Sequence, residues 1–272
     1  MKISALVENT SHCNMPVEHG LSLHIGLDNG TKILFDMGQG PLFMQNAEKL
    51  HIDISMVNIA VISHGHYDHG GGLRTFLQHN QKAKVYVHIN AFEKHYSLRE
   101  TGMTDIGLET ELQKHPQLFF SEGTTLINDN LQLYGNVKGS LPTPKGNRLL
   151  YGPNGNDNDD FCHEQSLLIR EKDKTVLFAG CAHTGILNIL KRVYLNTAIK
   201  PSHVFAGFHL LKSGLNQAEE IAFLQSFARE LKNYNHTKFF TMHCTGTEQF
   251  QLLHKLMGEQ IEYLSCGESV VL

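Results

Sequence analysis

The stretch "VNIAVISHGHYDHGGGL", residues 57–73, crowds three histidines and an aspartate into six positions directly after an apolar run. Val57, Ile59, Ala60, Val61 and Ile62 read as a short buried strand, which residues 63–72 cannot continue. Imidazole and carboxylate groups are costly to bury unpaired. Four of them beside a buried strand need a partner, and a metal ion is the simplest one. His64 and His66 are two apart in an extended stretch, so their side chains leave on one side and can share an ion. Asp68 and His69 are adjacent at a turn entering a helix and can point to a second centre. Imidazole with carboxylate suits Zn2+, Fe or Mn2+. Gly65, Gly70, Gly71 and Gly72 let the backbone fold tightly around such ligands.

The same arrangement of a strand followed by a histidine loop recurs further along. "KTVLFA" leads into "GCAHTGIL", "SHVFAG" into "FHLLKSG", and "HTKFFTM" into "HCTGTEQFQLL". In α/β sheets, ligands gather beyond the carboxyl ends of strands. Four strands therefore deliver His64, His66, His69, His183, His209 and His243 toward one rim. His64, His66, Asp68, His69, His183 and His243 are the candidate metal ligands. Asp68 and His209 are the candidate catalytic residues, with His209 favoured for proton transfer or substrate contact. Asp36, ending the strand in "ILFDMG", can orient a ligand histidine through a hydrogen bond or cap its strand. Cys181 is either a soft ligand or a buried inert thiol. Cys244, directly after His243, is expected to point away.

Size and composition agree with an enzyme-sized core. The chain has 272 residues, 41% hydrophobic and 18% charged, enough for one large or two small domains. A net charge of −4 gives no electrostatic footprint for nucleic acid. No segment has the apolar length needed to span a bilayer. The start, "MKISALVENT", lacks the pattern of a signal peptide, so a cytoplasmic location is expected. Five cysteines without a CxxC pair argue against a disulfide framework or a thiol redox protein.

Along the chain, "ISALVEN", "LSLHIGL" and "TKILFDMG" read as strands, the last two joined by the turn "DNG". "PLFMQNAEKLHI", "GLRTFLQHN", "GILNILKRVYL" and "AEEIAFLQSFARELKNY" read as helices. In the last, Ile221, Leu224, Phe227, Ala228 and Leu231 form an apolar stripe. Residues from about 92 to 164 are rich in Gly, Pro, Asn and Asp toward their end. They read as a variable insertion or lid near the site of a single domain spanning residues 1–272. Arg99, Lys145 and Arg148 lie in this segment and are candidate substrate contacts for a phosphate group.

On the run "SHGHYDHGGGL" the sequence resembles the metallo-β-lactamase-fold superfamily, whose signature is HxHxDH. "VENT", "GLSLHI", "ILFDMGQG", "NAEKL", "GCAHTGILNIL", "AGFHL" and "HCTG" resemble one branch of it, which includes the dihydropterin-ribofuranosylaminobenzene phosphate synthases and uncharacterised relatives. The resemblance covers essentially the whole chain, with little of it at residues 95–160. It implies an α/β fold, a four-layer αββα sandwich with metals at one edge. It implies His64 and His66 as ligands of a first metal, Asp68 and His69 as ligands of a second, and His243 as the usual last ligand. Asp36 matches the superfamily's early strand-end aspartate. One departure is Cys181, where most superfamily hydrolases carry a bridging aspartate, with His183 two residues later. The third histidine of the first metal should precede "SLLI", where His163 and Glu164 both stand.

These observations imply one or two divalent ions, zinc foremost, with Mn, Fe or Mg as alternatives. The expected partner is a small-molecule substrate, phosphorylated or not, with no nucleic acid and no membrane. Three functions follow. The first is hydrolysis of an ester or phosphoester by metal-bound hydroxide. The second is transfer of a dihydropterin-methyl group from its diphosphate to an arylamine ribose phosphate. The third is a non-catalytic metal-binding sensor.

Overall fold

In the computed structural model, which describes residues 1–272, two seven-stranded sheets lie face to face. In spatial order the first holds Ser269–Val271, Lys2–Val7, Ser22–Gly26, Lys32–Phe35, Ile59–Val61, Lys84–His88 and Leu118–Ser121. The second holds Ile261–Tyr263, Lys238–Thr241, His203–Ala206, Lys174–Ala179, Gln165–Glu171, Leu131–Gly135 and Thr124–Asn128. Alternation along each strand sends one set of side chains inward. Ile3, Leu23, Ile25, Ile33 and Phe35 from the first sheet meet Leu167, Val176, Phe178, Phe205 and Phe240 from the second.

The outer faces are covered by helices. Helices Leu42–Lys49 and Leu73–His79 pack on the first sheet through Phe43, Ala47, Leu73, Phe76 and Leu77. Helices Ile186–Thr197, Gln217–Lys232 and Thr247–Met257 pack on the second through Ile189, Leu190, Val193, Leu224, Leu231 and Leu253. Three hydrophobic cores between four layers make the αββα sandwich. In the long helix the expected stripe is buried at Leu224, Ala228 and Leu231, while Ile221, in its first turns, is exposed. No helix is long and apolar enough to cross a membrane.

The parallel register positions the site. Phe178, Phe205 and Phe240 stand in one row across three neighbouring strands, their rings stacked at 5.1 Å and 4.6 Å. The next row is Ala179, Ala206 and Thr241, so the three chains leave the sheet at one level. Phe35 and Val61 are paired in the same way in the first sheet. Five loops therefore open at a single edge. Asp36, Ala182, His209 and His243 in these loops adopt positive φ, a strained conformation that such sites retain where the surroundings fix it.

Residues 92–164 contribute strands to both large sheets. Leu118–Ser121 completes the first sheet, and Thr124–Asn128 with Leu131–Gly135 completes the second. The remainder lies over the site edge, where Tyr96–Arg99, Gly102–Asp105 and Leu150–Tyr151 form a small separate sheet.

Candidate metal centre

His64, His66, Asp68, His69, His183 and His243 converge at this edge, all buried. The rings of His64 and His66 are 4.5 Å apart, and that of His183 lies 4.9 Å and 5.0 Å from them. One ligand atom of each of these three lies within 4.8 Å of the others. Nε2 of each is buried with no hydrogen-bond partner. Burial depresses the proton affinity of all three rings, reinforced by the neighbouring histidines, so they stay neutral.

The second group stands beside the first. His69 Nε2 and His243 Nε2 face each other at 3.2 Å. Asp68 Oδ2 lies 3.4 Å from His243 Nε2 and 3.9 Å from His69 Nε2, and Cys181 Sγ is 3.2 Å from His69 Nε2. Each ring is oriented from behind. His69 Nδ1 donates to Asp36 Oδ2 at 2.7 Å, and His243 Nδ1 to Asn9 Oδ1 at 2.8 Å. Ser63 Oγ donates to Asp36 and accepts from His64 Nδ1 at 2.8 Å, while His183 Nδ1 donates to Asn147 Oδ1 at 3.0 Å. With the Nδ1 protons committed, each neutral ring presents a bare Nε2 lone pair, the arrangement found at metal-ligating histidines.

This donor set fits a cation. Lone pairs of His69 and His243 face each other beside a carboxylate, which is repulsive unless positive charge lies among them. Burial opposes charge on His69, but Asp36 and Asp68 outweigh it and raise its proton affinity. Burial would likewise raise the Asp68 carboxyl, but His69, His19 and His243 hold it well below the usual range. The pocket thus attracts positive charge, and imidazole, carboxylate and thiol together suit zinc or another divalent transition metal.

The remaining expected residues fall into distinct places. His163 has both ring nitrogens engaged: Nδ1 accepts from Gly65 N–H at 2.9 Å, and Nε2 faces Asp159 Oδ2 at 3.2 Å. Glu164 accepts from His183 N–H, Thr184 N–H and Thr184 Oγ1, and so holds the loop carrying His183. Both His163 and Glu164 are engaged in hydrogen bonds, and one ligand atom each of His163, His95 and Asp159 also lies within 4.8 Å of one on His66, whereas His183 leaves its Nε2 unpartnered beside His64 and His66. His209 lines a cleft of about 450 Å3 over the centre, together with Arg99, His19 and Asp68. Lys145 and Arg148 line a neighbouring cavity of about 780 Å3 that shares His183. Cys244 does not point away: its Sγ lies within 4.8 Å of Cys181 Sγ and a His243 ring nitrogen. The turn at Met242–Thr245, with His243 at positive φ, breaks the strand alternation that suggested otherwise.

Several supporting residues carried no signal in local spacing. Glu8 accepts from His243 N–H at 2.7 Å and from Tyr263 Oη at 2.7 Å. Asn9 orients the His243 ring. Both lie in "VENT", which marked a resemblance without revealing a role. His95 donates to Asp159 at 2.9 Å, bracing His163. Gly180 is required where the sheets meet, because a Cβ there would stand 2.2 Å from Ser63 Oγ.

The profile of the metallo-beta-lactamase superfamily matches residues 17–154, half of the chain. With the sandwich and the histidine edge in place, the chain belongs to that superfamily. It is 27% identical over 263 residues to the uncharacterized protein MJ0448 of Methanocaldococcus jannaschii, covering 93% of each chain. It is also 27% identical over 293 residues to the 7,8-dihydropterin-6-methyl-4-(beta-D-ribofuranosyl)-aminobenzene-5'-phosphate synthase of the same organism, covering 99% of this chain and 96% of that one. Among solved structures it is similar to Tm1679, a metal-dependent hydrolase of the beta-lactamase superfamily. The TM-score is 0.79 with 29% identity, over 100% of this chain and 99% of that one.

Proposed function

We propose that this protein is a metal-dependent hydrolase acting on an ester or phosphoester of a small molecule. The observation that carries the reading is the convergence of two acceptor groups, His64/His66/His183 and Asp68/His69/His243, under one open cleft. Divalent metal held there supplies an acidified water and neutralises charge developing on the substrate oxygens. Asp36, Ser63, Asn9 and Asn147 keep the ligand rings aimed and unprotonated at Nε2. Arg99 stands on the cleft wall, where an anionic substrate group would meet it. His209 lies on the same wall, its ring 4.3 Å from that of His183 and its Nδ1 without a partner. It is placed to give a proton to the leaving group.

A second reading, group transfer, is favoured by the larger neighbouring cavity. It shares His183 and carries Lys138, Lys145 and Arg148, room and charge for a second, phosphorylated substrate. The 27% identity to a synthase over nearly the full chain supports the same reading.

The test is turnover of phosphomonoesters, phosphodiesters and carboxylic esters by zinc-loaded protein. Hydrolysis in water alone, abolished by chelation and restored by zinc, supports the first reading. Diphosphate release that requires an arylamine acceptor supports the second. Loaded protein that turns over neither class contradicts both.

A further inference from the structure

The segment that carries His209 has two faces, and only one of them belongs to the cleft. His209, Leu211 and Lys212 line the cleft over the centre. Phe208 and Leu210, on either side of His209 in the chain, line a different cavity of about 250 Å3. Ile186 and Leu187 from one helix, and Phe223 and Phe227 from the long helix, add to its walls. The Phe223 and Phe227 rings lie parallel at 6.0 Å, and Phe208 meets Phe227 edge-on at 5.5 Å. Residues 141–144 form the remaining side and also wall the larger basic cavity. The buried Asn188 amide fixes that segment, accepting Leu141 N–H at 3.1 Å and donating to the Leu141 carbonyl at 3.0 Å. Charge separates the two cavities. Lys138, Lys145 and Arg148 line the larger one. The smaller one has a single charged residue, Glu230, exposed on its rim beside Ser226. An apolar cavity of about 150 Å3 takes a benzene ring, so this one has room for two fused rings. Three phenylalanines offer such a ring both faces and edges to pack on.

We propose that this cavity binds a small planar aromatic molecule bearing a cationic group, with the ring among Phe208, Phe223 and Phe227 and the cation at Glu230, and that occupancy is felt at His209 through residues 208–210. The binding stands apart from the function proposed above, and only its consequence rests on that reading. Phe208 N–H donates to Thr245 Oγ1 at 2.8 Å, and Leu210 N–H donates to the Cys244 carbonyl at 3.0 Å. These anchors flank His209 and hold it at positive φ. A ring wedged against Phe208 and Leu210 bears on both anchors, and so on the direction of the His209 side chain. An anionic molecule is turned away by Glu230 and is drawn instead to the basic cavity on the other side of residues 141–144.

The chain has no tryptophan, so the emission of an indole probe reports the probe alone. Tryptamine titrated with the full chain is expected to show a blue-shifted emission that saturates, and to bind more tightly than indole-3-acetate. Ser226→Phe, a change at an exposed position, fills the cavity and is expected to abolish the saturable shift. Glu230→Lys is expected to weaken tryptamine about 2- to 5-fold, the range for an exposed ion pair, and to strengthen indole-3-acetate. Absence of a saturable shift in the wild type, or a shift that survives Ser226→Phe, overturns the site. Equal binding of the two probes by the wild type overturns the chemical class assigned to it. NMR tests the consequence without turnover. The His209 ring protons, identified by their absence in His209→Asn, are expected to move with tryptamine and to saturate at the same concentration. Ring signals that stay fixed in tryptamine-saturated protein overturn the coupling to His209. Protein that binds tryptamine in this way but hydrolyses no ester supports the site and contradicts the proposed function, so the two failures are distinguishable.

Discussion

Asn9 Oδ1 lies 2.8 Å from Nδ1 of His243, so a residue in the first turn after the opening strand aims a ring 234 positions later. The same amide oxygen accepts Gly20 N–H, and its Nδ2 reaches His19 Nδ1 at 3.2 Å, which fixes its orientation. Asn9→Leu is expected to weaken zinc binding roughly 10- to 100-fold, the usual loss when the group orienting a ligand histidine is removed. Asn9→Asp keeps an acceptor and should bind near wild-type. Competition with a chromophoric chelator measures both; equal affinity in Asn9→Leu and wild type contradicts the role.

Asp36 Oδ2 accepts from both Ser63 Oγ and His69 Nδ1, and Oδ1 from Ser63 N–H, each at 2.7 Å. Asp36→Asn can keep the backbone bond and the positive φ, which Asn tolerates. Its amide nitrogen cannot accept from His69. The ring then carries its proton on Nε2, where a ligand needs a lone pair. The variant should lose zinc selectively from the half of the centre that holds His69, and about 1–3 kcal/mol of stability where the buried acceptor is lost; elemental analysis that finds full metal would contradict the role.

His183 and His163 separate a ligand from a brace. His183→Ala should lower metal content, as should His66→Ala and His243→Ala. His163→Ala should keep its metal and lose about 1–3 kcal/mol of stability, because Gly65 N–H is left unpaired in the interior. Elemental analysis and urea unfolding report the two effects independently. Metal lost from His163→Ala but retained by His183→Ala would reverse the assignment.

His209 lines the cleft and makes no ring hydrogen bond through Nδ1. His209→Asn, which accepts the positive φ, should retain full metal and lose turnover by about 10²-fold or more, the range for removing a general acid. Loss of metal in this variant would make His209 a ligand instead.

Away from the site, His24 faces the side of its strand opposite Leu23 and Ile25, with Nε2 buried and unpartnered. Burial, aided by Lys32 and Lys2, pushes its pKa from 6.5 down to about 4. The unfolded chain therefore binds more protons than the folded one between these values. Stability is full above pH 6.5 and falls as the pH drops toward 4, by roughly 3 kcal/mol over the window. Urea midpoints at pH 7 and pH 5 should differ less in His24→Leu than in the wild type. An identical pH dependence in the two would dismiss the residue.

The local signals and the distant ones fared differently. The strand ahead of His64 and the strand ends before Cys181, His209 and His243 were readable because apolar runs stop where polar loops begin, and parallel register brings such ends level. Residues 118–135 read as part of the insertion, with isolated strand-like runs such as "LQLYGNV", because strands of four or five residues have too few positions to display a period that assigns them to a sheet. Glu8 and Asn9 act across more than 230 positions, and Asn147 across 36, so no spacing announces them. The choice between His163 and Glu164 could not be made from order along the chain. Both lie in hydrogen bonds formed by residues distant in sequence, as does the neighbouring His183, and order along the chain does not show these.

Counting metal by elemental analysis, on protein purified without chelator and again after zinc loading, tests the central claim most directly. The account predicts about two divalent ions per chain, one for each acceptor group. Folded protein that remains metal-free after exposure to zinc would contradict it.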